Sequence, residues 1–234
     1  MIRVAVAVAA VAVLAGCGGG AHGRATLWVT RDEGARVVLV RSVPAGETAM
    51  QALARSAHLR TRYGGRFVES IDGIAGSLGG RHDWFYFING IEADRGAAAY
   101  RLHPGDVEWW DYRDWGRFGE SVPVVVGAFP EPFVHGYDGK AWPTDVAYES
   151  PALRRVALRI GKEVHARMVV GPNGGGVGSG SNRIAIYARP AALASIVPYG
   201  KGVHTRFELD LGPETAARLA ADPHALRFRY GSPG

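Results

Sequence analysis

The chain has 234 residues, with 27 Lys and Arg against 22 Asp and Glu, a formal net charge of +5 and 47% hydrophobic residues. That charge is too mild to argue for a nucleic-acid partner, and a single cysteine excludes both an internal disulfide framework and a cysteine-based metal site. Stability has to come from burial, and the length suits one large or two small domains.

In chain order, Arg3 is the lone charge before an apolar run from Val4 to Leu14. That run is about eleven residues, where a helix spanning a bilayer needs about twenty. A charged start, an apolar stretch and small residues form the pattern of an export signal. Leu14-Ala15-Gly16-Cys17 resembles the lipobox of bacterial lipoproteins. The resemblance implies that residues 1–16 are a cleaved signal peptide and that Cys17 becomes an acylated N-terminus. The protein would then be held on the extracytoplasmic side of the bacterial cell membrane. A cleaved signal with an incidental cysteine is the alternative. Residues 17–24 have no apolar periodicity and read as a tether.

Residues 25–116 form the first predicted domain. TLWVT (26–30) and ARVVLVRSV (35–43) read as paired strands across the turn RDEG. Thr48 and Gln51 have capping-box spacing, and Met50, Leu53, Ala54 and Ala57 follow at helical spacing. Trp84 to Ile88 is an aromatic strand, and Asn89-Gly90 suits a type I′ turn into a return strand from Ile91. Pro104-Gly105-Asp106 turns the chain into a last strand from Val107 to about Arg113. The order ββαβββ predicts an α+β fold of β-grasp type, one helix across a mixed sheet.

The stretch WFYFINGIEADRGAAAYRLHPGDVEWWDY carries a second likeness through Trp84, Tyr86, Asn89, Gly90, Gly96, Tyr100, Gly105, Asp106, Trp109 and Tyr112. It resembles the C-terminal domain of the vitamin B12 carriers transcobalamin and intrinsic factor, and the bacterial domain of unknown function classed with it. The resemblance implies a β-grasp module, some of whose relatives bind a corrinoid. The large helical barrel that forms the other half of the animal carriers has no counterpart in this sequence.

Residues 117–234 predict a smaller α/β domain. Val122 to Ala128 reads as a buried strand, and Ser150-Pro151 starts a helix whose stripe is Leu153, Val156, Ala157, Ile160, Val164 and Met168. After the glycine-rich loop 171–182 come a strand from Arg183 to Ala188 and a short helix from Pro190. A strand from Thr205 to Leu211, a helix from Pro213 to Ala221 and a strand from Leu226 to Tyr230 complete the unit.

Signals for catalysis are weak. The loop GPNGGGVGSGSN lacks a Gly-Lys-Ser/Thr ending and is followed by a strand, so it predicts a mobile loop and not a phosphate cradle. Ser179 and Ser181 lack a nucleophile elbow. His135 with Asp138, and His82 with Asp83, read as local hydrogen bonds in preference to metal ligands. Asp106, Glu108, Asp111 and Asp114 read as a solvated sheet edge, with Glu108 and Asp111 on opposite faces. The chain is therefore expected not to be an enzyme.

The aromatic ladder is the candidate site. Trp84, Tyr86 and Ile88 share one face, Phe85 and Phe87 the other, and Trp109 and Trp110 are forced apart. These rings either pack against residues 117–234, dock a transporter subunit or other envelope protein, or stack a flat ligand such as a cobalamin-like molecule. The ligand-binding candidates are Trp84, Tyr86, Trp109, Trp110 and Tyr112, with Asn89 and Asp111 as polar partners.

Overall fold

The computed structural model describes residues 23–118, 124–172, 180–190 and 206–230. Cys17, most of the glycine-rich loop and the short helix expected from Pro190 lie outside the described residues. The chain is α+β, with more strand than helix.

The first half runs β1 (Arg24–Arg31), β2 (Arg36–Pro44), α1 (Ala49–Ser56), β3 (Leu59–Arg62), β4 (Phe67–Ile71), β5 (Ile74–Ala75), β6 (His82–Ile88), β7 (Ile91–Glu92) and β8 (Val107–Asp114). Five strands make a mixed sheet in the order β2-β1-β8-β6-β7, with β1 and β8 parallel and the other pairs antiparallel. Thr48 and Gln51 form the reciprocal cap that starts α1, and Asn89 (φ 51°) and Gly90 (φ 77°) take the two left-handed positions of the β6–β7 turn. β3, β4 and β5 form a separate three-stranded sheet that the hydrophobic pattern did not announce. β3 and β5 are short and largely exposed, and β4 buries Val68, Ser70 and Ile71 without an apolar alternation.

One face of the five-stranded sheet buries Leu27, Val29, Trp84, Ile88 and Trp110 beneath Ala52 and Leu53 of α1 and Val68 and Ile71 of β4. The other face holds Trp28, Phe87 and Trp109 against Ala128 and Tyr230 of the second half.

The second half runs α2 (Trp115–Phe118), a 3-10 stretch (Val124–Ala128), α3 (Glu131–Val134), β9 (Thr144–Tyr148), a 3-10 turn (Pro151–Leu153) and α4 (Arg154–Glu163). It continues with β10 (Met168–Val170), β11 (Asn182–Ile186), β12 (Glu208–Leu211) and α5 (Pro213–Ala221). Its four strands are all parallel, in the order β10-β9-β11-β12. Val146, Ile184, Ile186, Leu209 and Leu211 pack under Ala157 and Ile160 of α4 and Ala216 and Leu219 of α5.

Several expectations are corrected here. The described part of 122–128 is 3-10 helix, a case in which periodicity cannot separate a short apolar run from a buried helical turn. Residues 226–230 form no strand: Leu226 is buried in the second core and Tyr230 against the first sheet, so two different cores produced the alternation. Met168 belongs to β10, because α4 ends at Glu163.

Candidate functional site

All the site residues but Asn89, which is in the β6–β7 turn, lie on β6 and β8, and the alternation of a strand decides what each can reach. Register places Trp84 opposite Tyr112 and Tyr86 opposite Trp110, all on the α1 side of the sheet. The rings form a ladder along the two strands. Tyr86 stacks on Trp110 at a centroid distance of 5.0 Å, Trp84 tilts against Tyr112 at 5.2 Å, and His82 stacks on Tyr112 at 5.6 Å.

The polar tips of the ladder are already used. Trp84 Nε1 donates to Ile74 O at 2.8 Å and Tyr112 OH to Ala75 O at 3.0 Å, fastening β5. Tyr86 OH donates to Arg95 O at 2.5 Å, and Trp110 Nε1 donates to Glu108 Oε1 at 2.6 Å. Trp84 and Trp110 are buried, whereas Tyr86 and Tyr112 are half-buried. The ladder thus clamps the three-stranded sheet and the 93–96 turn onto the large sheet. It presents no open row of indoles.

Trp109 and Asp111 point to the opposite face. Trp109 is fully buried, edge-on to Trp28 at 5.6 Å and to Tyr230 at 5.7 Å. Asp111 Oδ1 accepts from Thr30 Oγ1 at 2.6 Å and Gly34 N at 3.1 Å, and its Oδ2 accepts from Tyr230 OH at 2.6 Å. Trp109 Nε1 donates to Thr30 Oγ1 at 2.7 Å, and the Arg113 guanidinium lies 3.9 Å from the Phe85 ring centre. Asp111 therefore ties the two halves together. The seven predicted residues do not converge on one site, because the sheet separates Trp109 and Asp111 from the ladder.

Asn89 sits at a third place. Its Nδ2 donates to Asp106 Oδ1 and to Gly136 O, each at 2.9 Å, and its Oδ1 accepts from Val107 N at 2.7 Å. Around it Tyr100 OH donates to Asp106 Oδ2 at 3.3 Å and accepts from Asp138 N at 3.0 Å. Nearby, Tyr137 OH donates to Asp94 Oδ1 at 2.6 Å, and Arg95 bridges Asp94 at 2.8 Å and Asp138 at 3.1 Å. This network joins the 89–106 connection to the 135–140 loop.

The reading of the β8 carboxylates as a solvated edge is overturned. β8 is the central strand, and Asp106, Glu108 and Asp111 are buried. Desolvation is the largest influence on all three and raises each above the ordinary carboxylate range; hydrogen bonds from His103 N, Trp110 and Thr30 respectively oppose it. Glu108 stands out because its Oε2 has no hydrogen-bond partner among the described residues. Burial also pushes the Tyr86, Tyr100 and Tyr137 hydroxyls upward, which keeps them protonated donors. The Arg95 hydrogen bond holds Asp94 below its usual value.

The expected local pairs do not form: His135 bonds to Glu131 and not to Asp138, and His82 to Gly80 and not to Asp83. His135 Nδ1 lies 2.7 Å from Glu131 Oε2, and that hydrogen bond raises the imidazole pKa; His82 Nδ1 lies 2.5 Å from Gly80 O. Among the described residues no group of three His, Cys, Asp or Glu is placed to hold a metal ion. No described helix is long and apolar enough to cross a membrane. Sequence reasoning missed Thr30, Gly34 and Tyr230 around Asp111, and Asp94, Arg95 and Tyr137 around Asn89. Their partners lie up to 119 residues apart in the chain, and no local pattern records such a pairing.

Residues 46–114, from the turn before α1 to the end of β8, match the family described as Domain of unknown function (DUF4430). No curated protein matches the chain. Solved structures similar to it include a Ruminococcus gnavus ATCC 29149 protein provisionally described as metal binding, at 11% identity and a TM-score of 0.33, over 40% of this chain and 98% of that one. Haptocorrin in complex with Cbi is similar at 14% identity and a TM-score of 0.32, over 39% of this chain and 25% of its own. At these TM-scores neither likeness carries an argument about a metal or a ligand.

Proposed function

We propose that the chain is an extracytoplasmic binding protein, tethered to the bacterial membrane by acylated Cys17, that works by non-covalent docking and not by catalysis. The observation that carries this reading is the outer edge of β2. In a sheet ordered β2-β1-β8-β6-β7, the nine-residue β2 has, among the described residues, a neighbour on one side only, and Val37, Val38 and Val40 are exposed along it. Sheet edges are normally shortened, charged or covered, because an open edge accepts another strand through main-chain hydrogen bonds. Arg41 and Arg36, the latter 3.5 Å from Asp32, flank the valines, so the partner that fits is an extended apolar segment with an acidic residue facing Arg41, such as one from a transporter subunit or another envelope protein. Docking through the aromatic ladder itself is disfavoured by its buried indoles and occupied polar tips.

The test is amide exchange with extended acidic and apolar peptides against charge-reversed ones. Protection should appear in residues 36–44 and vanish in Val38→Lys and Val40→Lys. Equal protection by both peptide sets, or none by either, refutes strand addition. Mass spectrometry of the exported protein tests the tether: two or three acyl chains on Cys17 are expected, and Cys17→Ala should release the protein from the membrane.

A second reading, a flat ring ligand such as a corrinoid, is favoured by one observation: Tyr86 and Tyr112 remain half-buried in the stacked ladder. It predicts saturable quenching of tryptophan emission by cobalamin or haem, lost in Tyr112→Ala. Unchanged emission with both ligands leaves the docking reading alone.

A further inference from the structure

The tip of the β3–β4 hairpin stands apart from the core contacts that hold the base of β4. Its turn, Tyr63-Gly64-Gly65, is left-handed throughout, with φ of 52°, 67° and 85°. The turn is closed by Gly65 N and Arg66 N, each donating to Arg62 O at 3.2 Å. A side chain at Gly64 or Gly65 would meet nothing within 4 Å, so the tip projects into open space. On β4, Val68 is buried in the core under the ladder while Phe67 points away, at 42% exposure. Tyr63 is 77% exposed, and its ring stands edge-on to Phe67 at 6.2 Å.

Two large rings held together at a projecting tip lie outside the core, and their surroundings are cationic. Arg60, Arg62 and Arg66 surround them, all exposed, against one carboxylate, Glu69, which lies 2.6 Å from Arg62 and 3.7 Å from Arg60. Three positive charges against one leave the tip at +2. Exposed aromatic rings collared by arginines are the composition of a bilayer-interface contact: the rings sit at headgroup depth and the guanidiniums meet anionic lipid. A flat or concave surface would suit a protein partner better, whereas a projecting tip suits a soft, deformable one.

We infer that the β3–β4 hairpin tip, through Tyr63 and Phe67 with Arg60, Arg62 and Arg66, docks on an anionic lipid bilayer. This goes beyond the proposed tether and uses it only for proximity. Residues 17–24 extend at most about 28 Å, so an anchor at Cys17 would keep the whole body within reach of the membrane. The contact fixes which side of the body faces the lipid and leaves the β2 edge as a separate surface.

The experiment uses the full chain with Cys17→Ala, which removes acylation and leaves no thiol, and a single labelling cysteine at Tyr63→Cys carrying an environment-sensitive fluorophore. A matching label at Leu158→Cys, exposed on α4, serves as the control position. Vesicles of equal parts phosphatidylcholine and phosphatidylglycerol should blue-shift and brighten the label at 63 and leave the label at 158 unchanged. Pure phosphatidylcholine or high salt should abolish the response. Neutralising Arg60 and Arg66 with Ser should weaken partitioning by about thirtyfold, at roughly fivefold per surface charge. Because these side chains are exposed, thermal melting should not change, which separates lost binding from lost folding. An unshifted label at 63, an equal shift at 158, or the same shift with soluble polyphosphate in place of vesicles overturns the inference. If Cys17 proves unacylated while the label at 63 still responds, the tether fails and the bilayer contact stands.

Discussion

Glu108 is a full carboxyl in the middle of a core, with one oxygen bonded to Trp110 Nε1 and the other without a partner among the described residues. Desolvation raises its pKa well above the ordinary value, and the nearby Asp106 carboxylate raises it further. The folded protein therefore binds this proton more tightly than the unfolded chain. Its contribution to stability is greatest below the unfolded value of about 4.3 and is lost as pH rises toward the folded value. Glu108→Gln keeps an acceptor for Trp110 and removes the titration. The variant should be more stable than the parent at pH 8 by about 1–3 kcal/mol, and the gap should close toward pH 4 in denaturant titrations. Identical pH profiles for parent and variant would mean that Glu108 keeps its charge in the core. Tyr230 makes the opposite case, because its hydroxyl is one of three donors to Asp111. Tyr230→Phe leaves a buried carboxylate oxygen short of a donor and should cost about 1–3 kcal/mol in the same titration. A loss within error would show that the phenol is not what joins the two halves.

At the scale of elements, local chemistry was legible wherever it was self-contained. Thr48 and Gln51 predicted the start of α1, and both halves of the box form, with Gln51 N to Thr48 Oγ1 at 3.2 Å and Thr48 N to Gln51 Oε1 at 2.9 Å. Thr48→Ala should therefore cost about 1 kcal/mol by chemical denaturation, and an unchanged midpoint would mean that tertiary packing alone starts the helix. Asn89-Gly90 predicted its turn for the same reason, since two consecutive positive φ angles favour that pair. The alternation of β6 and β8 correctly separated Trp109 from Trp110. Alternation gives relative faces and does not say what covers each one. The cover on the ladder is β3 to β5: β3 and β5 are short and exposed, and the buried positions of β4, Val68, Ser70 and Ile71, do not alternate as apolar residues. The position of β8 was likewise illegible. It lies at the sheet centre because it pairs in parallel with β1, about eighty residues earlier in the chain, and a local reading of its four acids cannot register that. The rings of the candidate site were legible as faces of two strands, and the fact that the seven residues do not converge on one place was not.

Over the whole molecule, the two sheets meet where chain 226–230 crosses the far face of the first sheet, and two glycines make that crossing possible. A Cβ on Gly34 (φ 79°) would stand 1.6 Å from Phe228 O, and one on Gly127 would stand 2.2 Å from Arg229 O and 3.0 Å from the Trp109 ring. Phe228 N donates to Gly127 O at 3.0 Å, so the backbones touch directly and the rings of Phe228 and Tyr230 are set against Trp28 and Trp109. The seam joins apolar rings to a buried polar group, Asp111, whose partners come from β1, the β1–β2 turn and the far end of the chain. Opening it exposes a carboxylate and an indole together, so the halves should unfold in one transition. Gly127→Ala forces the crossing apart, because its methyl meets the Arg229 backbone and the edge of the Trp109 ring. It should split thermal unfolding into two transitions, the first accompanied by a red shift of tryptophan emission as Trp28 and Trp109 meet water. Asp111→Asn should leave a single transition, because the amide oxygen still accepts from Thr30 and the ring contacts persist. If Gly127→Ala melts in one step at the parent temperature, the seam yields by local movement and the two halves are coupled elsewhere.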